Sequence, residues 1–396
     1  MELKSYQKRL YAEIDLDAVK HNYFAVKASC PEKAVICVIK ANAYGHGAVE
    51  LGQLYESLGA EMLAVSNIEE GMELRHAGIS LPILNLGYAP VECADILAKE
   101  NIEQCLPSLE YAKALSAAAT DAGVTVRVHL KIDTGMGRIG FLCRSEEENE
   151  LCDMLTAARL DSLSVVGAFT HLAVADTGAV GEEYTKEQAK MFNFAIEYLK
   201  KNGVEPGLLH LSNSAAIFDY PDLAINAIRP GISLYGEAAS SDMINEPSLK
   251  PTIRMRSTVM SVKTVLKGES VGYGRAFVAD KDMRVATVCV GYADGLPRAA
   301  SLGKGVFTVN GTPCPVLGKI CMDQTMIDVT DLKDVAVGTQ VIIFGGDAAM
   351  TLRGLADAVG TIPYEILTGI SRRVPRVYLE GGKIVKITDY VIGDQK

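Results

Sequence analysis

Residues 35–47 read Val35-Ile36-Cys37-Val38-Ile39-Lys40-Ala41-Asn42-Ala43-Tyr44-Gly45-His46-Gly47. An apolar, β-branched run closes on a lysine, and a polar loop with two glycines follows. This is the first of a series. Similar runs stand at 62–66, 83–86, 103–106, 126–132, 164–170, 208–211 and 225–228. Longer amphipathic stretches separate them, among them 68–76, 108–122, 146–158 and 184–201. Eight strands alternating with helices predict parallel βα units. Eight is also the number that closes a (β/α)8 barrel. A doubly wound open sheet shows the same alternation, and strand counting alone does not separate the two.

The rhythm changes after about residue 240. Residues 240–250 are polar and include Pro247, as a linker would be. Short alternating runs follow at 257–265, 285–290, 305–309, 312–316, 326–329 and 340–344, with Gly, Asp, Asn and Pro between them. They predict a mostly-β second domain. One helical pattern, 352–359, precedes Pro363. The expected division is an α/β barrel over residues 9–244 and a mostly-β domain over residues 245–396, with residues 1–8 a candidate addition to the latter.

Bulk properties exclude several classes. The 396 residues are 48% hydrophobic and carry a formal net charge of −10. Phosphate binding needs clustered Lys and Arg, so a nucleic-acid partner is not expected. No run approaches the ~18–20 apolar residues of a membrane span. The first seventeen residues lack the apolar core of a signal peptide. Nine cysteines form no C-x-x-C pair, which fits reduced thiols in the cytoplasm. Six histidines form no H-x-H or H-E-x-x-H arrangement, so no metal site is expected.

In a barrel enzyme, functional groups gather where the strands end. Lys40 ends the first strand. It reads either as a surface lysine or as a Schiff-base lysine, whose amine must be partly desolvated to be nucleophilic. Loops after the seventh and eighth strands are the usual phosphate site. Here they are Ser212-Asn213-Ser214-Ala215-Ala216 and Arg229-Pro230-Gly231-Ile232. Gly231 lets backbone N–H groups approach an anion and Ser214 offers a hydroxyl; helix capping explains Ser212 or Ser214 equally well. The fifth strand runs into Gly135-x-Gly137-x-x-Gly140. This matches the dinucleotide fingerprint only superficially, because that motif opens the first βαβ unit and leads into an apolar-faced helix.

At this point Val38–Gly47 (VIKANAYGHG) resembles the cofactor-lysine motif of bacterial alanine racemases, fold-type III enzymes that use pyridoxal 5′-phosphate (PLP). The likeness continues through Leu130–Gly140, Phe169–Leu172, His210–Ala216, Arg229–Gly236 (RPGISLYG), Val271–Gly274 (VGYG), Gly291–Arg298 (GYADGLPR), Gly318–Gln324 and Pro363–Arg376. These blocks span almost the whole chain in the family's order. The resemblance implies an N-terminal (β/α)8 TIM-type barrel, a C-terminal mostly-β domain and a homodimer with active sites shared between subunits. It implies interconversion of L-alanine and D-alanine by a two-base mechanism, supplying D-alanine for peptidoglycan. A serine or broad-specificity racemase of the same fold is the alternative.

By that resemblance Lys40 binds PLP covalently and serves as one acid–base, and Tyr273 of a second subunit serves as the other. Arg229 faces the pyridine nitrogen, and His210 is a partner in the cofactor's hydrogen-bond network. Tyr44, Ser214, Gly231, Ile232 and Tyr364 hold the phosphate, and His171 and Asn213 line the cofactor. Arg138 and the backbone N–H of Met322 meet the substrate carboxylate. Lys131 is a candidate for carbamylation beside Arg138. Tyr292, Asp176 and Arg298 narrow the access corridor. Lys319 stands where many members carry Arg. Serine-preferring relatives tend to carry Asn at the position of Tyr364, so Tyr364 favours alanine. A decarboxylase of the same plan would need a different glycine-rich phosphate loop and a β-domain cysteine, and non-catalytic PLP-binding relatives resemble the barrel alone.

Overall fold

The structure, a computed structural model, describes residues 2–346 and 348–393. The chain divides into two compact units: Lys20–Ala43 with Gly47–Leu249, and the remainder. Residues 1, 347 and 394–396 of the expected domain ranges lie outside the described residues.

In chain order the strands are β1 (Leu10–Asp15), β2 (Ala34–Val38), β3 (Met62–Val65), β4 (Ile83–Asn85), β5 (Ile102–Leu106), β6 (Val126–Asp133), the two-residue β7 (Phe141–Leu142), β8 (Leu163–Phe169), β9 (Leu208–His210) and β10 (Ala227–Ile228). β2, β3, β4, β5, β6, β8, β9 and β10 pair in parallel, and each end of the series finds the other through β10–β2. The ring is closed, which decides for the (β/α)8 barrel over the open sheet. All eight strands coincide with expected runs to within one or two residues at most ends. Closure buries the strands on both faces: every residue of β3, β4 and β5 is buried. That explains why these segments read as short runs rather than as alternating patterns.

Helices expected at 68–76, 108–122 and 184–201 form as Ile68–His76, Leu109–Asp121 and Glu182–Lys201. Asn67 and Ser108 cap the first two through their side chains. The helix expected from residue 146 begins only at Leu151. Residues 145–150 form a turn instead, in which Ser145 Oγ accepts the amides of Glu147 and Glu148. A serine followed by three glutamates has the composition of a helix start, and a local side-chain turn outcompetes it here.

The second unit holds β11 (Ile253–Val265), β12 (Ser270–Val271), β13 (Phe277–Val278), β14 (Met283–Val288), β15 (Val306–Val309), β16 (Thr312–Leu317), β17 (Thr325–Asp328), β18 (Gln340–Phe344), β19 (Arg376–Glu380) and β20 (Lys383–Thr388). Its nine-stranded sheet runs β14-β17-β16-β15-β18-β11-β1-β19-β20, and a further β11–β14 pairing closes six of its strands into a ring. Only the β1–β19 pairing in it is parallel. The sequence reading started the barrel at residue 9. In the structure β1 lies between β11 and β19, with partners on both edges. Both rows of its backbone groups are thereby satisfied, as a buried strand requires. The mostly-β unit therefore takes one of its interior strands from the start of the chain. No helix among the described residues is long and apolar enough to cross a membrane.

Candidate active site

Lys40 comes two residues after β2 ends, not as the last strand residue that the sequence reading expected. It opens a left-handed turn: φ is 52°, 56°, 51° and 50° at Ala41, Asn42, Ala43 and Tyr44. For L-residues this costs about 1–2 kcal/mol per residue, so other bonds must hold it. Ala43 N donates to Ile39 O at 2.8 Å and Gly47 N to Asn42 O at 2.9 Å. Asn42 Oδ1 accepts Ala48 N at 2.9 Å, and Glu70 Oε1 accepts Ala41 N at 2.6 Å. Strain of this kind clusters where a side chain must be aimed. Burial, helped by the positive charge of Arg138 and opposed by Glu70, pushes the Lys40 pKa down. A partly desolvated amine of lowered pKa is what a nucleophilic lysine needs.

More cations of the barrel act on the same space. Lys131, in β6, is buried, and its Nζ donates to Ile132 O at 2.9 Å. Burial brings its pKa down to about 8, with Arg229 and Arg138 adding to the effect. Arg229, after β10, is 4% exposed. Its Nη1 donates to His210 Nδ1 (2.8 Å) and His210 O (2.6 Å), and its Nη2 to Thr170 O (2.6 Å) and Leu211 O (3.3 Å). Four of its five N–H groups are thus used, and Nε alone has no acceptor among the described residues. The Phe169 ring lies 5.5 Å from Lys131 Nζ and 5.3 Å from Arg229 Cζ, and stacks on His210. Burial first, and then these cations, hold the imidazoles of His171 and His210 well below their usual pKa.

Lys40, Lys131, Arg138 and Arg229 thus perturb one another and His171. Cations crowd together at a cost in free energy unless an anion joins them. The donor set therefore fits an anionic ligand. It offers an amine of lowered pKa to a carbonyl carbon and a buried guanidinium Nε–H to a ring acceptor.

The loops after β9 and β10 are joined by Ser214. Its Oγ accepts Gly231 N (2.9 Å), Ser233 N (3.4 Å) and Ser233 Oγ (3.1 Å), so its own proton remains to be donated. The Gly231 N–H expected to face an anion is engaged by this serine. The cap of helix Ser214–Asp219 is neither Ser212 nor Ser214 but Asn213, whose Oδ1 accepts Ala216 N at 3.1 Å. Ile232, fully buried, opens the 3-10 turn Ile232–Tyr235.

The glycine-rich stretch after β6 has a structural role. Gly135, Gly137 and Gly140 all have positive φ. The amides of Gly135 and Gly137 donate to Asp133 Oδ1 at 3.0 Å each, and Arg144 reaches Asp133 Oδ2 at 3.3 Å. Its amides are turned onto a carboxylate, and no helix opens after it.

Tyr44, Tyr273, Met322 and Tyr364 belong to the other unit. Tyr273 is 66% exposed in a short turn between Gly272 and Gly274, and Met322 is 53% exposed. Tyr44 is buried, with its phenol pKa raised by burial, and its ring centroid lies 6.0 Å from that of Tyr364.

Sequence reading missed the residues behind Arg229. Glu103, His129 and Gly167 lie inside strands at no recognisable spacing, and Thr170 contributes its carbonyl just after β8. The available signal was one polar side chain inside an apolar strand, His129 in β6 and Glu103 in β5.

Residues 14–239 match the family model for the alanine racemase N-terminal domain, and residues 252–378 that for the C-terminal domain. Alanine racemase 1 of Clostridium acetobutylicum is 42% identical over 385 residues, which cover 96% of this chain and 98% of that protein. Alanine racemase of Clostridium novyi is 40% identical, with the same shares covered. Among solved structures, alanine racemase from Clostridium difficile 630 superposes with a TM-score of 0.91 at 39% identity, covering 97% of this chain and 99% of that one. The Bacillus anthracis enzyme with bound L-Ala-P gives 0.89 at 32% identity, covering 98% and 100%.

Proposed function

The chain belongs to the alanine racemase family, and we propose that Lys40 and Tyr273 are the two acid–base residues with which it interconverts L-alanine and D-alanine. The activity is that of a racemase, and D-alanine supply for peptidoglycan is the family's role. Racemisation removes the α-proton from one face of a planar centre and returns one to the other. Two groups are needed, one on each face and each within hydrogen-bond reach.

PLP, when bound, supplies the electron-withdrawing system that makes the α-proton removable. Lys40 Nζ holds the cofactor and moves the proton on one face. The Tyr273 hydroxyl, supplied by a second copy of the chain, moves it on the other; its exposure leaves it available to a partner. Arg229 Nε would donate to the ring nitrogen. Because arginine only donates and stays charged, it keeps that nitrogen unprotonated. Ser214, Gly231, Ile232, Tyr44 and Tyr364 would hold the phosphate, Gly231 through the serine hydroxyl that its N–H engages in this structure, and His171 and Asn213 would line the ring. Arg138 and Met322 N–H orient the substrate carboxylate. The neutral Lys131 amine adds carbon dioxide and releases a proton to solvent, becoming an anion within the field of Arg138 and Arg229. The enzyme works as a homodimer in the cytoplasm, and nine free cysteines support the reducing compartment.

The observation that carries the assignment of Lys40 is its place just past the end of a barrel strand, at the start of a left-handed turn held by Glu70 and Asn42, where burial lowers the pKa of its amine. The test is the visible spectrum and the proton exchange of two variants. Lys40→Ala is expected to lose the yellow colour of the bound cofactor, and Tyr273→Phe to keep it while losing racemisation in both directions and retaining α-proton exchange with one enantiomer at most. An unchanged spectrum in Lys40→Ala, or wild-type exchange in both directions in Tyr273→Phe, overturns the assignment. A higher kcat/KM for L-serine than for L-alanine overturns the substrate reading based on Tyr364.

A further inference from the structure

Behind Arg229 a line of side chains crosses the barrel interior. Arg229 Nη1 meets His210 Nδ1 at 2.8 Å, His210 Nε2 meets His129 Nδ1 at 2.9 Å, and His129 Nε2 meets Glu103 Oε2 at 2.6 Å. Both imidazoles and the Glu103 side chain are no more than 1% exposed, so water does not fill in for any member. At the far end Arg127, half-exposed, reaches Glu103 Oε1 through Nε (2.8 Å) and Nη2 (2.6 Å).

The direction of this line follows from its ends. Guanidinium can only donate, so His210 Nδ1 must accept. Held neutral by burial, His210 then carries its proton on Nε2 and donates it onward. His129 Nδ1 must accept that proton, which leaves Nε2–H to donate to Glu103. A carboxylate can only accept, so both ends agree. Any other tautomer sets two donors against each other at one of the three contacts.

The barrel makes space for this line. A Cβ on Gly167, in β8, would stand 2.2 Å from His129 Cε1 and Nδ1. Phe169, two residues on, stacks on His210 with an interplanar angle of 3°.

We propose that Glu103 and His129 are positioning residues for the racemase: they fix the tautomer of His210, and through it the orientation of the Arg229 guanidinium that leaves Nε free for the cofactor. With His210 locked as an acceptor toward Arg229, Nη1 and Nη2 are fully engaged, and rotation of the guanidinium would break several buried bonds at once. This inference rests on the reading of Arg229 as the cofactor's ring-nitrogen partner.

Two experiments test it. Neutron diffraction from deuterium-exchanged crystals of the wild-type holoenzyme reads the tautomers directly. Deuterium is expected on Nε2 of both His129 and His210 and absent from Nδ1 of both. Deuterium on either Nδ1 overturns the proposal whatever the variants do. The second compares His129→Leu with His129→Asn, whose Oδ1 stands close to the lost Nδ1 and can accept from His210. His129→Leu is expected to weaken PLP binding in equilibrium dialysis and to lower kcat by about tenfold with KM for alanine little changed, the low end of what carboxylate–histidine supports contribute at metal centres. His129→Asn is expected to recover most of both. Wild-type affinity and kcat in His129→Leu, or no difference between the two variants, overturns it. If His129→Leu does not fold, the neutron map decides. A wild-type enzyme that binds PLP with no contact to Arg229 in the same map would instead overturn the reading of Arg229, while the tautomers would still report on the hydrogen-bond line.

Discussion

At the residue scale, the site rests on cations placed where water is scarce. Lys131 illustrates what this does. Its pKa of about 8 leaves a substantial neutral fraction near physiological pH, where an ordinary lysine is almost fully protonated. Only the neutral amine attacks carbon dioxide, so Lys131 is expected to form a carbamate that exposed lysines do not hold. Carbon-13 NMR of enzyme equilibrated with labelled bicarbonate checks this: one slow carbamate resonance is expected, and it should disappear in Lys131→Ala. At constant dissolved carbon dioxide the signal should grow as pH rises through about 8, because the neutral amine grows with it. A signal that persists in Lys131→Ala places the modification elsewhere.

At the element scale, strands and most helices were legible because their patterns are local. Ile68–His76 carries its cap beside it, and β2 to β10 carry their apolar runs. The left-handed turn after Lys40 was not legible, since Ala-Asn-Ala-Tyr has no glycine where φ is positive and the bonds that compensate come partly from Glu70, far along the chain. The glycine-rich segment after β6 is the reverse case. Its spacing suggested phosphate chemistry, whereas Gly140 is required by backbone geometry alone. With φ at +123°, a Cβ there would stand 2.8 Å from Asp133 N and 2.9 Å from Lys131 O. Both neighbours are backbone and cannot turn away. Gly140→Ala is expected to destabilise the fold by at least about 2 kcal/mol. A fall in the urea midpoint at unchanged slope is the measurement, and an unchanged midpoint would show that the loop relaxes freely.

At the scale of the whole molecule, burying neutral imidazoles ties stability to pH. His171 and His210 have folded-state pKa values well below 6.5, so only the unfolded chain takes up their protons as pH falls through that value. The two imidazoles' contribution to stability should therefore be level above about pH 6.5 and fall below it, by about 1.4 kcal/mol per pH unit for each. Urea unfolding between pH 7.5 and 5.5 measures the slope. Replacing His210 by Gln should flatten it by about one proton, and an equal slope in that variant would exclude His210 as a source.

The sequence by itself determined the eight βα units, the mostly-β character of the second part and the motif blocks that carry the family. These are encoded by neighbours within a few residues, through periodicity, caps and turn composition. Only the tertiary structure decided that β1 joins the C-terminal sheet, that the ring closes, and that Glu103 and His129 stand behind Arg229. Those contacts join residues far apart in sequence, with 81 positions between His129 and His210 and 26 between Glu103 and His129. A polar residue in an apolar run signals that a buried partner exists, and folding alone brings that partner to it.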